Sequence, residues 1–339
     1  MKCLILGGSR FIGRRLVSVL LEAGAQVTLF NRGQAGHPFG DRLEQLKGDR
    51  RSASDLAAAF GRREFDAAWD FLSYDETDAR MAIAALGGRV GHFIHISTCS
   101  VYWCTGDSPC PVPETDFDRL DQFDERPDSI EYEYGYGKRK AERALFDAHA
   151  RGGFPVTTIR MPIVGGEQDP SLRYASYCLR IADGGPLALP DGGYAPFRHV
   201  YVGDVARALA ELPAKPQAKG QAYNLACAEI LNLRSIVASI SRLMGRTVET
   251  VDIPTPVLRA MGLPGAFSPF SQQSAQVPAI WKARNELGWD PTPHPVWLER
   301  VVRDALGNPV SEPPPALAFR GKELEVIANY WQAIKRAEI

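Results

Sequence analysis

The sequence predicts an α/β protein: a doubly wound parallel sheet with a smaller lobe interleaved toward the C-terminus. Three observations carry this expectation. Short apolar runs alternate with amphipathic stretches to about residue 160, the pattern of strands covered by helices on both faces. The first run, from Lys2 to Leu6, breaks into a glycine turn and passes directly into an amphipathic stretch from Phe11 to Glu22. Gln26-Val27-Thr28-Leu29-Phe30 then follows as a second strand, at the distance one βαβ unit requires.

Each element in turn suggests a role. Glycines at 7, 8 and 13 let the backbone approach a pyrophosphate, whose charge is stabilised by amides at the helix N-terminus. Gly7, Gly8, Ser9, Arg10, Phe11, Ile12 and Gly13 therefore form a candidate dinucleotide cradle. The second strand ends at Asn31-Arg32. The run from Gly91 to Ile96 is an apolar strand closing on hydroxyls, Ser97-Thr98-Cys99-Ser100, and ligands of open parallel sheets sit at such carboxyl ends. A strand-end cluster that only satisfies turn backbone is the alternative.

The helical segment around Tyr136-Gly137-Lys138-Arg139-Lys140 places a tyrosine one turn before a lysine. A free tyrosine has a pKa of about 10, so a cation one turn away must stabilise the phenolate if it is to exchange protons at neutral pH. Lys140 is placed to do so for Tyr136, with Thr98 holding the substrate oxygen. A lowering of about 3 pKa units, roughly 4 kcal/mol, is required of the lysine and an oxidised nicotinamide together. Tyr134 with Lys138 forms a competing pair two residues earlier.

Together these residues resemble an extended short-chain dehydrogenase/reductase of the NAD-dependent epimerase/dehydratase family. The likeness runs through the glycine turn, Asp49 after the third strand, Phe65 to Asp70 as the fourth, the Thr98 strand and Tyr136-Gly137-x-x-Lys140-Ala141-Glu142. It continues through Arg160-Met161-Pro162-Ile163-Val164-Gly165-Gly166, Val200 to Ala206, Tyr223 to Ala226 and Leu287-Gly288-Trp289-Asp290-Pro291. The resemblance implies a Rossmann-type domain with Thr98, Tyr136 and Lys140 in the catalytic positions. It also implies that Ser97 and Arg160 to Ile163, Pro162 and Ile163 above all, lie beside the nicotinamide, and that Asp49 serves the adenine end. The reaction implied is hydride transfer at a carbinol or ketone carbon of a sugar or sugar-like substrate, by an epimerase or a reductase.

Three departures refine this. Arg10 stands where the family's turn has its middle glycine, and Asn31-Arg32 stands where NAD users carry an acid. Two arginines and no acid favour NADP(H), with NAD(H) as the alternative, because arginine takes a phosphate in a forked contact. Thr98-Cys99-Ser100 replaces the Thr-Asp-Glu of nucleotide-sugar dehydratases, which argues against a 4,6-dehydratase. Cys99 is then an auxiliary base or a buried inert thiol. Phe197 occupies the place of a substrate-clamping arginine; Arg198, one residue on, is an out-of-register diphosphate clamp or an ordinary surface arginine.

The acidic, Pro-rich segment from 103 to 133 reads as a lid or a solvated loop, containing Asp107, Glu114, Asp116, Asp118, Asp121, Asp124, Glu125 and Asp128. Residues 1–164 and 196–229 are expected to form the nucleotide-binding body, and 165–195 with 230–307 the substrate lobe. Residues 308–339 are expected to form a Pro-rich linker and a last helix with Leu324, Ile327, Trp331 and Ile334 on one face, which docks on the body or serves a homodimer contact.

A net charge of −1 and no apolar run near the 18 or so residues of a membrane helix point to a cytoplasmic protein with a small-molecule substrate and no membrane partner. Six cysteines without paired or histidine-matched spacing imply a reduced protein with no metal. The segment Thr28 to Gly33 also resembles an atypical branch of the family that includes chloroplast stem-loop-binding proteins. This raises a non-catalytic RNA-binding or regulatory alternative, though the chain lacks the clustered positive charge that nucleic acid binding requires.

Overall fold

The computed structural model describes residues 1–103, 109–120, 130–271, 274–308 and 313–337. The chain divides into two compact units, the first formed by residues 1–164, 200–226 and 278–291. Its strands are β1 (Lys2–Leu6), β2 (Gln26–Asn31), β3 (Glu44–Lys47), β4 (Ala67–Asp70), β5 (Phe93–Thr98) and β6 (Val156–Met161). Two short strands, β7 (Val164–Gly165) and β9 (Val200–Tyr201), flank β8 (Leu187–Pro190) in sequence; β10 (Gln221–Asn224) completes the first unit and β11 (Thr250–Ile253) lies in the second.

Seven strands form one sheet in the order β10-β6-β5-β4-β1-β2-β3. Every pairing in it is parallel. The chain order reverses between β1 and β4, and that reversal opens a crevice at the carboxyl ends of these strands. Helix α1 (Phe11–Glu22) covers one face, with α7 (Val202–Glu211) beside it; α2 (Ala53–Phe60), α3 (Glu76–Leu86) and α5 (Ile130–Ala150) cover the other, and the short α4 (Ser100–Trp103) follows β5.

Burial explains the apolar runs. Cys3, Ile5, Val27, Leu29 and Trp69 enter the core under α1 and α7. Leu4, Leu6, Phe30 and Ala68 enter the opposite one. Strands buried on both faces cannot alternate apolar with polar, so they read as continuous hydrophobic segments.

The second unit comprises residues 165–199, 227–277 and 292–339. It contains α6 (Arg173–Ala182), the parallel pair β8 and β11, α8 (Leu233–Leu243), α9 (Thr255–Ala260), α11 (His294–Gly307) and α12 (Arg320–Ala337); α10 (Trp281–Leu287) belongs to the first. Residues 278–291 thus depart from the sequence-based division. Trp289 Nε1 donates to Ala226 O at 2.9 Å, Lys282 Nζ to Gln221 Oε1 at 2.7 Å and Tyr223 Oη to Glu286 at 2.8 Å. These contacts carry the Leu287 to Pro291 motif back to the sheet edge. The last helix belongs to the second unit, and it buries Glu323, Val326 and Ile327, while Leu324 and Ile334 face outward. Glu323 forms a buried ion pair with Arg180. Among the described residues no helix is long and apolar enough to cross a membrane.

Candidate functional site

The carboxyl ends of β1 and β2 open into a cleft of about 720 Å³ lined by residues 7–13, Asn31, Arg32, Asp49, Arg50, Leu72 and Tyr74, among others. Two glycines are required here. Gly8 has φ +74°, and a Cβ on it would lie 2.4 Å from Ile5 Cγ2. A Cβ on Gly13 would lie 2.2 Å from Gly8 Cα, so α1 can start this close to the turn only without a side chain. Volume, exposed backbone and the helix N-terminus suit the cleft to a dinucleotide.

At the end of β2, the Asn31 amide donates to Ser9 Oγ at 2.9 Å, and its carbonyl accepts from Gly33 N at 2.7 Å and Gln45 Nε2 at 3.1 Å. Arg10 and Arg32 are exposed on the cleft wall. Asp49 is exposed too, its carboxylate accepting from Arg51 N at 2.9 Å. Arg50 was not singled out from the sequence, where adjacent arginines read as surface charge. It is 7% exposed, and its Nη1 donates to Asp70 Oδ1 at 3.1 Å and Ser73 Oγ at 3.1 Å, which ties the segment after β3 to the one after β4.

Thr98 ends β5 at 8% exposure, its hydroxyl 3.1 Å from Ser100 Oγ and accepting from Ser100 N at 3.1 Å. Of its neighbours, Cys99 takes the buried one of its two expected roles, and Ser97 departs from its expected place beside the nicotinamide. Cys99 is fully buried in an apolar cluster with Val101, Tyr102, Val112 and Phe117. Burial pushes its thiol well above the ordinary range, so it is an inert core cysteine rather than an auxiliary base. The Ser97 hydroxyl turns away from the cleft and donates to Glu142.

On α5 the two Tyr-x-x-x-Lys pairs are separated by their helix faces. Lys138 is 2% exposed; its Nζ donates to Ser73 O at 2.6 Å and Ile96 O at 2.8 Å and lies 4.7 Å from the Tyr74 ring centroid. Burial draws its pKa down to about 8, against the raising influence of Asp70 and Glu142. The Tyr134 ring is 6.4 Å from that of Tyr74, which lines the cleft. Lys140 instead rests its Nζ 4.6 Å from the ring centroid of Tyr136, whose ring also stacks with that of Tyr132 at 5.9 Å between centroids. A Cβ on Gly137 would meet Tyr74 O at 2.6 Å, which shows how closely α5 passes this loop.

Arg160 is 2% exposed and commits its guanidinium to Glu142 Oε2 at 2.6 Å, Tyr102 Oη at 2.8 Å and Glu114 O at 3.0 Å, so it serves the core, not a nicotinamide. Pro162 and Ile163 follow β6, half-buried. Arg198 lies in the second unit, its Nη2 donating to Ala228 O at 3.1 Å. In the acidic segment Glu114 and Asp116 are buried at 7% and 6%, and Glu114 accepts from Asn224 N at 2.8 Å, so this part is not a solvated loop. Asp118 is exposed, and Asp107, Asp121, Asp124, Glu125 and Asp128 lie outside the described residues. Among the described residues no group of three or more His, Cys, Asp or Glu could hold a metal ion.

Comparison with known proteins adds two relatives, two solved structures and a family. The chloroplast stem-loop binding protein of 41 kDa b from Arabidopsis thaliana is 23% identical over 86% of this chain and 75% of its own length. The 2'-dehydrokanamycin reductase of Streptomyces kanamyceticus is 24% identical over 75% of this chain and 70% of its own. Among solved structures, UDP-glucose 4-epimerase from Thermotoga maritima superposes with a TM-score of 0.71 at 18% identity, covering 91% of this chain and 99% of that one. UDP-glucuronic acid 4-epimerase from Bacillus cereus, in complex with NAD, gives 0.70 at 18% identity over the same shares. The model of the NAD dependent epimerase/dehydratase family matches residues 3–226, two thirds of the sequence, and the chain belongs to that family.

Proposed function

We propose that the protein is an NAD(P)-dependent oxidoreductase or epimerase acting at a carbinol or ketone carbon of a sugar-like substrate, with Tyr134 as general acid/base. Lys138 is its charged partner and Thr98 orients the substrate oxygen. This reading replaces Tyr136 and Lys140, and one observation carries it: Tyr74, a wall of the cleft, touches both Lys138 and Tyr134. Tyr136 and Lys140 contact each other on a different face of α5. When bound, the nicotinamide cofactor supplies the ring that accepts or gives the hydride. The chain's own part is to cradle the pyrophosphate on residues 7–13, to polarise the oxygen through Thr98, and to move one proton at Tyr134 Oη.

Arg10 at the start of α1 and Arg32 at the end of β2, both on the cleft wall and with the Asn31 carbonyl already engaged, favour NADP(H) over NAD(H). The reductase relative supports an exchanging reductase, and the epimerase neighbours support a retained cofactor. Mass spectrometry of nucleotide released on denaturation decides between them. Retained NAD favours an epimerase; an empty protein that prefers NADPH and oxidises it with a ketose or UDP-sugar panel favours a reductase. The stem-loop-binding relative supports a second reading, an RNA-binding protein. Salt-sensitive RNA binding by a protein that takes neither cofactor would replace the enzyme reading with that one.

A further inference from the structure

We propose that Ser97 and Glu142 form a positioning clamp that fixes α5 in register against Thr98. The inference rests on the reading above, in which α5 carries the acid/base pair and β5 carries Thr98. Three directional bonds join the helix to the strand end, from consecutive turns of α5 and on both sides of Thr98. Lys138 Nζ donates to Ile96 O at 2.8 Å, Ser97 Oγ donates to Glu142, and Arg139 Nη1 donates to Val101 O at 2.9 Å. The rest of this helix face is Ala141, Ala144 and Leu145, small or non-directional contacts that would tolerate sliding or rotation.

Glu142 is the centre of the arrangement. It is fully buried, and its carboxylate takes both Ser97 and the fork of Arg160, whose Nε and Nη2 lie 3.0 Å and 2.6 Å from Oε2. Ser97 and Arg160 are themselves register partners across β5 and β6, so one carboxylate spans two strands and the helix. Arg160 passes the constraint on to Tyr102 Oη at 2.8 Å, in the turn that follows Thr98. A buried ion pair is weak evidence for stability, because well-packed apolar residues often serve as well. What it adds here is direction. An error of about 1 Å between Tyr134 and Thr98 would cost about 100-fold in rate.

The test uses the full chain and three variants. Ser97→Ala removes one hydroxyl and leaves the ion pair intact, Ser97→Thr retains a hydroxyl, and Glu142→Gln keeps the shape but not the charge. In Ser97→Ala, NADPH affinity by fluorescence should stay within about twofold of wild type, while amide exchange in segments 93–103 and 134–145 accelerates about tenfold. Its turnover number on a substrate from the sugar panel should fall about tenfold with KM unchanged, and Ser97→Thr should restore both. Glu142→Gln, where it folds, should exceed Ser97→Ala in both effects. Wild-type exchange in Ser97→Ala overturns the clamp, and so does a loss of NADPH affinity that accounts for the fall in turnover. Exchange needs no substrate, so it judges the clamp even if Tyr134→Phe and Thr98→Val turn over normally, a result that would sink the catalytic reading instead.

Discussion

Lys138 Nζ lies 2.8 Å from the carbonyl oxygen of Ile96, two residues before Thr98, and 4.7 Å from the ring centroid of Tyr74 on the cleft wall. Lys140, about 200° further round the helix at 100° per residue, is turned away from that face. Lys138→Met and Tyr134→Phe should therefore each lower turnover by about 10³-fold, within the usual range of a lost proton-transfer group. Lys140→Met and Tyr136→Phe should stay within about threefold. NADPH fluorescence confirms that each variant still binds cofactor; the reverse ranking of the two pairs would return the acid/base role to Tyr136.

The same lysine sets a pH dependence. Burial holds Lys138 at about 8, below its ordinary 10.5. Below pH 8 it is charged and able to stabilise the Tyr134 phenolate, so turnover in the direction of ketone reduction should fall as pH rises through about 8. Stability moves the other way. Between about 8 and 10.5 the unfolded chain keeps a proton that the folded one has released, so this group's contribution rises with pH across that window. Lys138→Met should flatten both profiles. Turnover that holds level to pH 9.5 would remove Lys138 from the reaction.

Cofactor choice is tested at Arg10, before α1, and at Arg32, at the end of β2. Arg32→Ala and Arg10→Ala should each weaken NADPH binding by about tenfold and leave NADH within about twofold, since only the phosphate gains from a charge-assisted fork. Asn31→Asp should also weaken NADPH, by placing a negative charge where Asn31 Oδ1 now accepts from Gly33 N at 2.7 Å. Equal losses for both cofactors would make the arginines ordinary surface charges.

The sheet was legible because a doubly covered strand has no polar face, and the turn because Gly8 and Gly13 sit where no Cβ fits. The different faces of the two tyrosine–lysine pairs were legible in their spacing. Lys138 falls on the stripe that continues through Ala141, Glu142 and Leu145, all buried, while Lys140 shares its face with the exposed Arg143 and Asp147. A motif two residues out of phase on a helix points nearly the opposite way. Other features were not legible at short range. The return of Trp289 to Ala226 depends on a contact between distant parts of the chain, and the inward face of α12 contains Glu323, which its ion pairs with Arg180 and Arg320 make tolerable in a core. The Glu142–Arg160 pair has the same character, two charges that a sequence reads as surface.

Acid sensitivity should originate in part from the second unit. His294 is 4% exposed, with its ring 4.7 Å from that of Trp297 and its Nε2 without a hydrogen-bond partner among the described residues. Burial lowers its pKa from 6.5 to about 4. A depressed imidazole contributes stability that is fully present above about 6.5, where both states are neutral, and lost as pH falls toward 4, because the unfolded chain takes up the proton first. The loss amounts to about 3 kcal/mol. His92, in the first unit and also lowered to about 4, adds a second loss of the same sign. His294→Leu keeps an apolar group beside Trp297 and carries no proton. Its urea midpoint should match wild type at pH 7.5 to within about 1 kcal/mol and decline less steeply from pH 6.5 to 4.5. A variant that loses stability as steeply as wild type over that interval would show that the His294 imidazole takes up its proton in the folded protein as readily as in the unfolded chain.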